Sequence, residues 1–114
     1  MELKRISSEL TVSPQISASD VETLKAKGFR AIICNRPDGE GADQPSFEEI
    51  RSAAEKVGME ARYIPITAGM VRDEDAELFG AALDEMPGPV FAYCRSGTRS
   101  ATMWSLAKAK SLPM

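Results

Sequence analysis

Residues 88–101 read GPVFAYCRSGTRSA, and the order of residue types within them decides how the chain folds. Val90, Phe91, Ala92 and Tyr93 form a short continuous apolar run, the pattern of a strand covered on both faces, and Cys94 ends it. Two arginines, a glycine and three hydroxyls follow, and residues 98 to 110 have the composition of a helix. A strand that passes through a tight loop into a helix is half of a parallel crossover unit, and such sheets collect ligands at the carboxyl ends of their strands. A cysteine at that junction faces backbone N–H groups without helical partners and the positive end of a helix dipole. With Arg95 and Arg99 nearby, the setting favours the thiolate, the nucleophilic form. Gly97 lets consecutive N–H groups turn inward as an anion nest, and Ser96, Thr98 and Ser100 can hydrogen-bond the loop or the sulfur. Arg99 offers a planar fork for a tetrahedral oxyanion. A plain buried strand-end cysteine with solvated arginines would leave this grouping a coincidence.

Moving outward, the same grammar repeats. ELTVS (9–13) is a short β-prone run stopped by Pro14. SDVETLKAKG (19–28) reads as a helix, with Ser19 and Glu22 spaced as a capping box and Gly28 as terminator. FRAIIC (29–34) is a buried strand that empties into the turn formers of NRPDGEGADQP. SFEEIRSAAEKVG (46–58) is a second helix, with Ser46 and Glu49 as its box, and ARYIPI (61–66) a third strand. DEDAELFGAALDEM (73–86) opens on acids that suit a helix N-terminus, and PGP (87–89) stops it. Strand and helix alternate with short connections, without linker or repeat. The expected fold is a single α/β domain over residues 1–114, with a central mostly parallel sheet of four to five strands flanked by helices.

Composition narrows the function classes. The chain has 114 residues, 43% hydrophobic and 27% charged, a net charge of −3 and no histidine. An acidic whole argues against a nucleic-acid partner, so anion binding has to come from locally clustered arginines. The start, MELKRISSEL, lacks an apolar signal core, and no stretch approaches a membrane span. A cytoplasmic protein with no membrane partner is expected. Cys34 and Cys94 are too few and too far apart for a disulfide framework or a metal knuckle, so neither metal nor cofactor is expected.

The stretches LTVSPQIS, NRPDGE, YIPITAG and GPVFAYCRSGTRSA closely resemble the beta-lactamase-hydrolase-like, phosphatase-like domain family, over nearly the whole chain. The resemblance implies a fold like that of the dual-specificity and tyrosine phosphatases, with Cys94 as nucleophile on the substrate-binding loop. Members stand alone or are fused to a metallo-beta-lactamase-like persulfide dioxygenase, which implies that enzyme as a partner. Both phosphatase and sulfurtransferase roles are assigned to the family. Its members commonly continue for another helix, so a chain ending SLPM is expected to be short of a C-terminal helix.

The residues themselves discriminate between the two reactions. The phosphatases carry His-Cys, five residues and then Arg; here Tyr93 precedes the cysteine, four residues separate Cys94 from Arg99, and Ser100 stands where that pattern wants arginine. CRSGTRS is similar to the loop of many single-domain rhodaneses, whose cysteine carries sulfur as a persulfide. Phosphate-ester cleavage also needs an acid for the leaving group. After Ile66, where the phosphatases place it, the chain reads Thr67, Ala68, Gly69, with Asp73 and Asp75 following in a position that also suits helix capping. Asp38 is a further candidate for acid or orienter, and Arg36 for holding the anionic substrate, although Pro-Asp-Gly is also an ordinary turn. Cys34 is either a resolving thiol for Cys94 or a small apolar filler. The sequence therefore favours a rhodanese-type sulfurtransferase that forms a Cys94 persulfide from thiosulfate or a small persulfide, with Arg99 and Arg95 or Arg36 on the donor's anionic end. The alternative is a phosphatase acting through a phosphocysteine, and a second alternative is a thiol redox sensor.

Overall fold

The computed structural model describes residues 2–111. Its centre is β5 (Val90–Tyr93), flanked by β2 (Leu10–Ser13) and β3 (Ala31–Cys34), with β4 (Glu60–Tyr63) and β1 (Lys4–Arg5) outside them. The strand order is β1-β2-β5-β3-β4, parallel throughout except for the antiparallel β1–β2 pair. The helices are α1 (Ala18–Ala26), α2 (Phe47–Lys56), α3 (Asp73–Glu85) and α4 (Thr98–Ser111).

Alternation along the central strands assigns each residue to a layer. Ala31, Ile33, Val90 and Ala92 pack with Phe79, Ala82 and Met103 of α3 and α4. Ile32, Cys34, Phe91 and Tyr93 pack with Val21, Leu24, Ile50 and Ala54 of α1 and α2. Apolar runs without polar interruption were the signal for this, since both faces of β3 and β5 are covered.

Register decides where the site lies. Ser13 and Cys34 both pair with Tyr93, so β2, β5 and β3 end in one row. The ladder runs one step further, with Asn35 N–H donating to the Tyr93 carbonyl at 2.8 Å and Cys94 N–H to the Ser13 carbonyl at 3.4 Å. All three strands therefore release their loops at the same edge.

Three details depart from the expected elements. β1 is added as a short exposed edge strand that the sequence pattern does not signal. The α1 cap is Ser17 with Asp20, whose carboxylate accepts from the Ser17 N–H at 2.9 Å, rather than Ser19 with Glu22. β4 ends at Tyr63 rather than at Ile66, because Pro65 has no N–H to give to the ladder. Pairing resumes beyond it, as Ile66 N–H donates to the Asn35 carbonyl at 2.9 Å. The cap of α2 falls on Ser46 as expected, its hydroxyl accepting from Glu49 N–H. Among the described residues no helix is long and apolar enough to cross a membrane.

Candidate active site

β5 delivers Cys94 to the row where the three parallel strands end, and there the cysteine is fully buried. The chain then turns sharply, and Gly97 N–H donates back to Cys94 Sγ at 3.0 Å. That turn needs φ of +91° at Gly97. An added Cβ there would also meet the Ser13 backbone carbon at 3.3 Å, so glycine is required by conformation and by space. α4 starts at Thr98, and Ala101 N–H donates to the Gly97 carbonyl as its first turn closes. Ser96 donates its hydroxyl to that of Thr98 at 3.1 Å, bracing the loop from its exposed side. Arg95 points to solvent, while its carbonyl accepts from Gln15 N–H at 3.3 Å and ties the loop to the segment after β2.

Arg99 is held by three hydrogen bonds. Nη1 donates to Glu40 Oε2 and to the Ile66 carbonyl, both at 2.8 Å, and Nη2 donates to Glu40 Oε1 at 2.8 Å. The pKa of Arg99 is raised, first by this bond to Glu40 and further by the proximity of Cys94. Glu40 in turn accepts from Arg36 Nε at 3.0 Å. Lying between two guanidiniums, and above all through its bond to Arg99, the Glu40 carboxyl is held down at about 2. Arg36 is 8% exposed and spends Nη1 on the Gln15 side-chain carbonyl at 3.1 Å. The sequence offered Arg36 as a substrate ligand, whereas the structure directs it at Glu40 and Gln15.

Ser100, expected to hydrogen-bond the loop or the sulfur, turns to a different partner. Its buried hydroxyl donates to Asn35 Oδ1 at 2.8 Å, and Asn35 Nδ2 donates to the Ile64 carbonyl at 2.9 Å. This buried pair ties α4 to the loops after β3 and β4, so Ser100 is a structural tie. Asp38 is occupied as a helix cap, its carboxylate accepting from Phe47 N–H at 2.8 Å at the start of α2. Asp75 is buried against Arg72, accepting from its N–H and its guanidinium. Asp73 opens α3 on its exposed side.

Cys34 lies on the other face of the sheet, where its thiol donates to the Arg36 carbonyl at 3.3 Å. Burial pushes its pKa up, so it is held as a thiol. The Tyr93 hydroxyl is buried beside it, and burial likewise raises that group's pKa. Among the described residues that hydroxyl has no hydrogen-bond partner of good geometry, although the Cys34 sulfur is its neighbour. Glu40, Gln15 and Asn35 were missed by sequence reasoning. NRPDGE drew attention to Arg36 and Asp38, but nothing local marks its glutamate as the one that reaches Arg99.

The model of the beta-lactamase hydrolase-like protein, phosphatase-like domain, matches residues 2–111. The chain belongs to this family. A beta-lactamase hydrolase-like protein of Agrobacterium fabrum is 38% identical over 109 residues, which are 96% of this chain and 25% of that protein. The chain thus spans about a quarter of the length of that relative. The structure of nma1982 from Neisseria meningitidis, described as a candidate phosphatase, superposes with a TM-score of 0.89 at 35% identity, covering 99% of this chain and 81% of that one. A mutant form of Tk-PTP shares the fold alone, with a TM-score of 0.65 at 18% identity over 96% of this chain and 83% of its own. The expected α/β architecture, like that of the tyrosine phosphatases, is thereby shown, with five strands and four helices among the described residues.

A groove of about 620 Å³ runs along the flank of the phosphatase-like loop, lined by Ser96, Gly97 and Thr98, Val12 and Leu106. Neither Cys94 nor Arg99 lines it, so it borders the loop without reaching the cysteine or the arginine.

Proposed function

We propose that this domain hydrolyses phosphate monoesters through a phosphocysteine on Cys94. The observation that carries the reading is the Gly97 N–H at 3.0 Å from Cys94 Sγ, with Arg99 anchored beside it. Family membership and the nma1982 superposition support it, and they reverse the order of preference drawn from the loop length, the residue before Cys94 and the search for an acid. In the first step the Cys94 thiolate attacks phosphorus, the P–S bond forms, and the ester P–O bond breaks. The leaving oxygen carries away the bond pair and departs as the anion, which takes its proton from solvent water. Water then attacks phosphorus, the P–S bond breaks, and inorganic phosphate departs. Loop N–H groups and Arg99 stabilise the charge on the transferring oxygens.

The acid question shapes the substrate class. Glu40 is ionised and bound to two arginines, Asp38 caps α2, Asp75 caps α3 and Asp73 lies exposed at the start of α3, and we take none of the four to be the acid that protonates a leaving group. Aryl phosphates, whose phenolate leaves without much help, are therefore the favoured substrates over alkyl phosphates. Turnover of a series of aryl phosphates should fall steeply as the leaving phenol becomes more basic. A rate independent of the leaving group would count against chemistry without an acid.

One observation favours a second reading, sulfur transfer. Only four residues lie between Cys94 and Arg99, and the next residue, Ser100, is committed to Asn35. Here Cys94 attacks the sulfane sulfur of thiosulfate, the S–S bond breaks, sulfite leaves, and the persulfide sulfur passes to a thiol or cyanide. Intact mass after incubation with thiosulfate, next to phosphate release from an aryl phosphate, separates the two. A gain of one sulfur that cyanide removes, with no phosphate released, selects transfer over hydrolysis.

A further inference from the structure

We propose that the corner formed by Met70, Val71 and Leu78 is a docking surface for a basic amphipathic helix of a protein partner. Among the described residues four large apolar or aromatic side chains are exposed: Tyr63, Met70, Val71 and Leu78. Tyr63 is occupied, since its ring stacks on Phe47 with centroids 5.0 Å apart and its hydroxyl accepts from Asp38 N–H at 2.9 Å. The other three follow one another along the chain, at the end of the loop after β4 and on the first turns of α3. Met70 is 64% exposed and Leu78 58%. The core does not use them, because α3 packs through Ala76, Phe79, Ala82 and Met86, and Leu78 stands off that stripe. Nor is the loop end an unstructured tail. Met70 N–H donates to the Thr67 carbonyl at 3.0 Å in a turn that Gly69 closes with φ of +78°. From Val71 to Leu78 the ridge is about 10 Å long, two turns of a facing helix.

Charge selects the occupant. α3 carries six acidic side chains and no basic one. Arginines from outside the helix hold two of them, Asp75 and Glu85. Glu74 and Glu77, both exposed, flank Leu78. A second copy of this chain would bring the same acids against them, and an anionic lipid surface would be repelled in the same way. A partner whose apolar anchors are bordered by lysine or arginine gains the apolar contact and the opposite charge together. The form of the surface selects a helix over an extended strand. Strand addition needs a free sheet edge, whereas this corner offers side chains on a helical ridge. The loop starts at Ile66, whose carbonyl accepts from Arg99, so the partner would sit at the edge of the sheet where Cys94 lies.

The inference stands apart from the Cys94 chemistry, and its test reads binding. The probe is a fluorescently labelled amphipathic peptide of leucine and lysine, about four turns long, beside an analogue with glutamate in place of lysine. Wild type, Leu78→Ser, Met70→Ser, Glu74→Lys and Glu22→Lys would be titrated by anisotropy, the last reversing an exposed charge on α1 across the sheet. Leu78→Ser and Met70→Ser should each weaken the lysine peptide by about tenfold, with thermal midpoints at the wild-type value because both side chains are exposed. Glu74→Lys should weaken it by about three- to tenfold and Glu22→Lys by less than about twofold. The glutamate peptide should bind at least about tenfold more weakly than the lysine peptide. Failure of wild type to bind the lysine peptide overturns the proposal, as does affinity indifferent to both serine variants. Equal losses in Glu74→Lys and Glu22→Lys would mean a general attraction to an acidic chain and overturn it too. Wild-type protein would also be sedimented alone and with phosphatidylglycerol vesicles. Vesicle binding or a dimer that Leu78→Ser abolishes would give the surface to lipid or to a second copy, against the proposal.

Discussion

At the scale of single residues, Cys94 and Glu40 carry opposite kinds of evidence. Cys94→Ser replaces the sulfur with a poorer nucleophile of nearly the same size in a fully buried position. Turnover should fall by at least about 10³-fold, with the unfolding midpoint in urea close to wild type. A variant that retained a tenth of the rate would move the nucleophile elsewhere. Glu40 is testable through pH. Its carboxyl is lowered from 4.5 to about 2, chiefly by its bond to Arg99. A carboxyl whose pKa is depressed in the folded state contributes stability above its unfolded value, and that contribution is lost as pH falls through the folded one. Wild type should therefore be more stable than Glu40→Gln near pH 6, with the gap closing between about pH 4.5 and 2. Denaturant titrations of both proteins across that range would show it, and a gap that stays constant would dissociate Glu40 from the two arginines. Cys94 could be picked out of the sequence because a strand, a cysteine and an arginine-bearing turn are adjacent in the chain. Glu40 could not, because its meaning depends on a partner 59 residues away.

At the scale of elements, the loop and its ties are the sensitive parts. Gly97→Ala would place a Cβ against the Ser13 backbone in a residue with φ of +91°. Strain of this kind costs about 1–3 kcal/mol, and the turn can relieve it only by withdrawing the N–H from Cys94. Both thermal stability and turnover should fall, and an active, equally stable Gly97→Ala protein would show that the loop tolerates another path. Ser100→Ala leaves the buried Asn35 Oδ1 without its donor, at about 1–3 kcal/mol. Calorimetry would read that loss directly. α2, α3 and α4 were legible within a residue or two, because helix starts carry Ser46, the acids of 73–75 and Thr98 as local signals. The α1 cap was displaced by two residues because Ser17–Asp20 and Ser19–Glu22 share the same capping-box spacing, and the structure uses the first. β1 escaped notice since a two-residue edge strand has no period to detect.

For the whole molecule, stability comes from a sheet buried on both faces. Phe91 and Phe79 are fully buried in different layers, Phe91 with α1 and α2 and Phe79 with α3 and α4. Truncating either to Ala should cost about 3–5 kcal/mol, the usual range for a buried phenylalanine. Urea denaturation followed by fluorescence would check it, and similar losses for both variants would show that the two layers unfold together. The order of strands and helices, the two-sided burial of β3 and β5, and the loop around Cys94 were determined by the sequence alone, since each is written in neighbouring residues through periodicity, turn formers and caps. Which carboxylate meets Arg99, that Arg36 backs it, and that Ser100 ties down Asn35 were decided only by the tertiary structure. These are pairings between loops released from different strands at one sheet edge. Their geometry follows from strand order and register, which no local pattern of residues records.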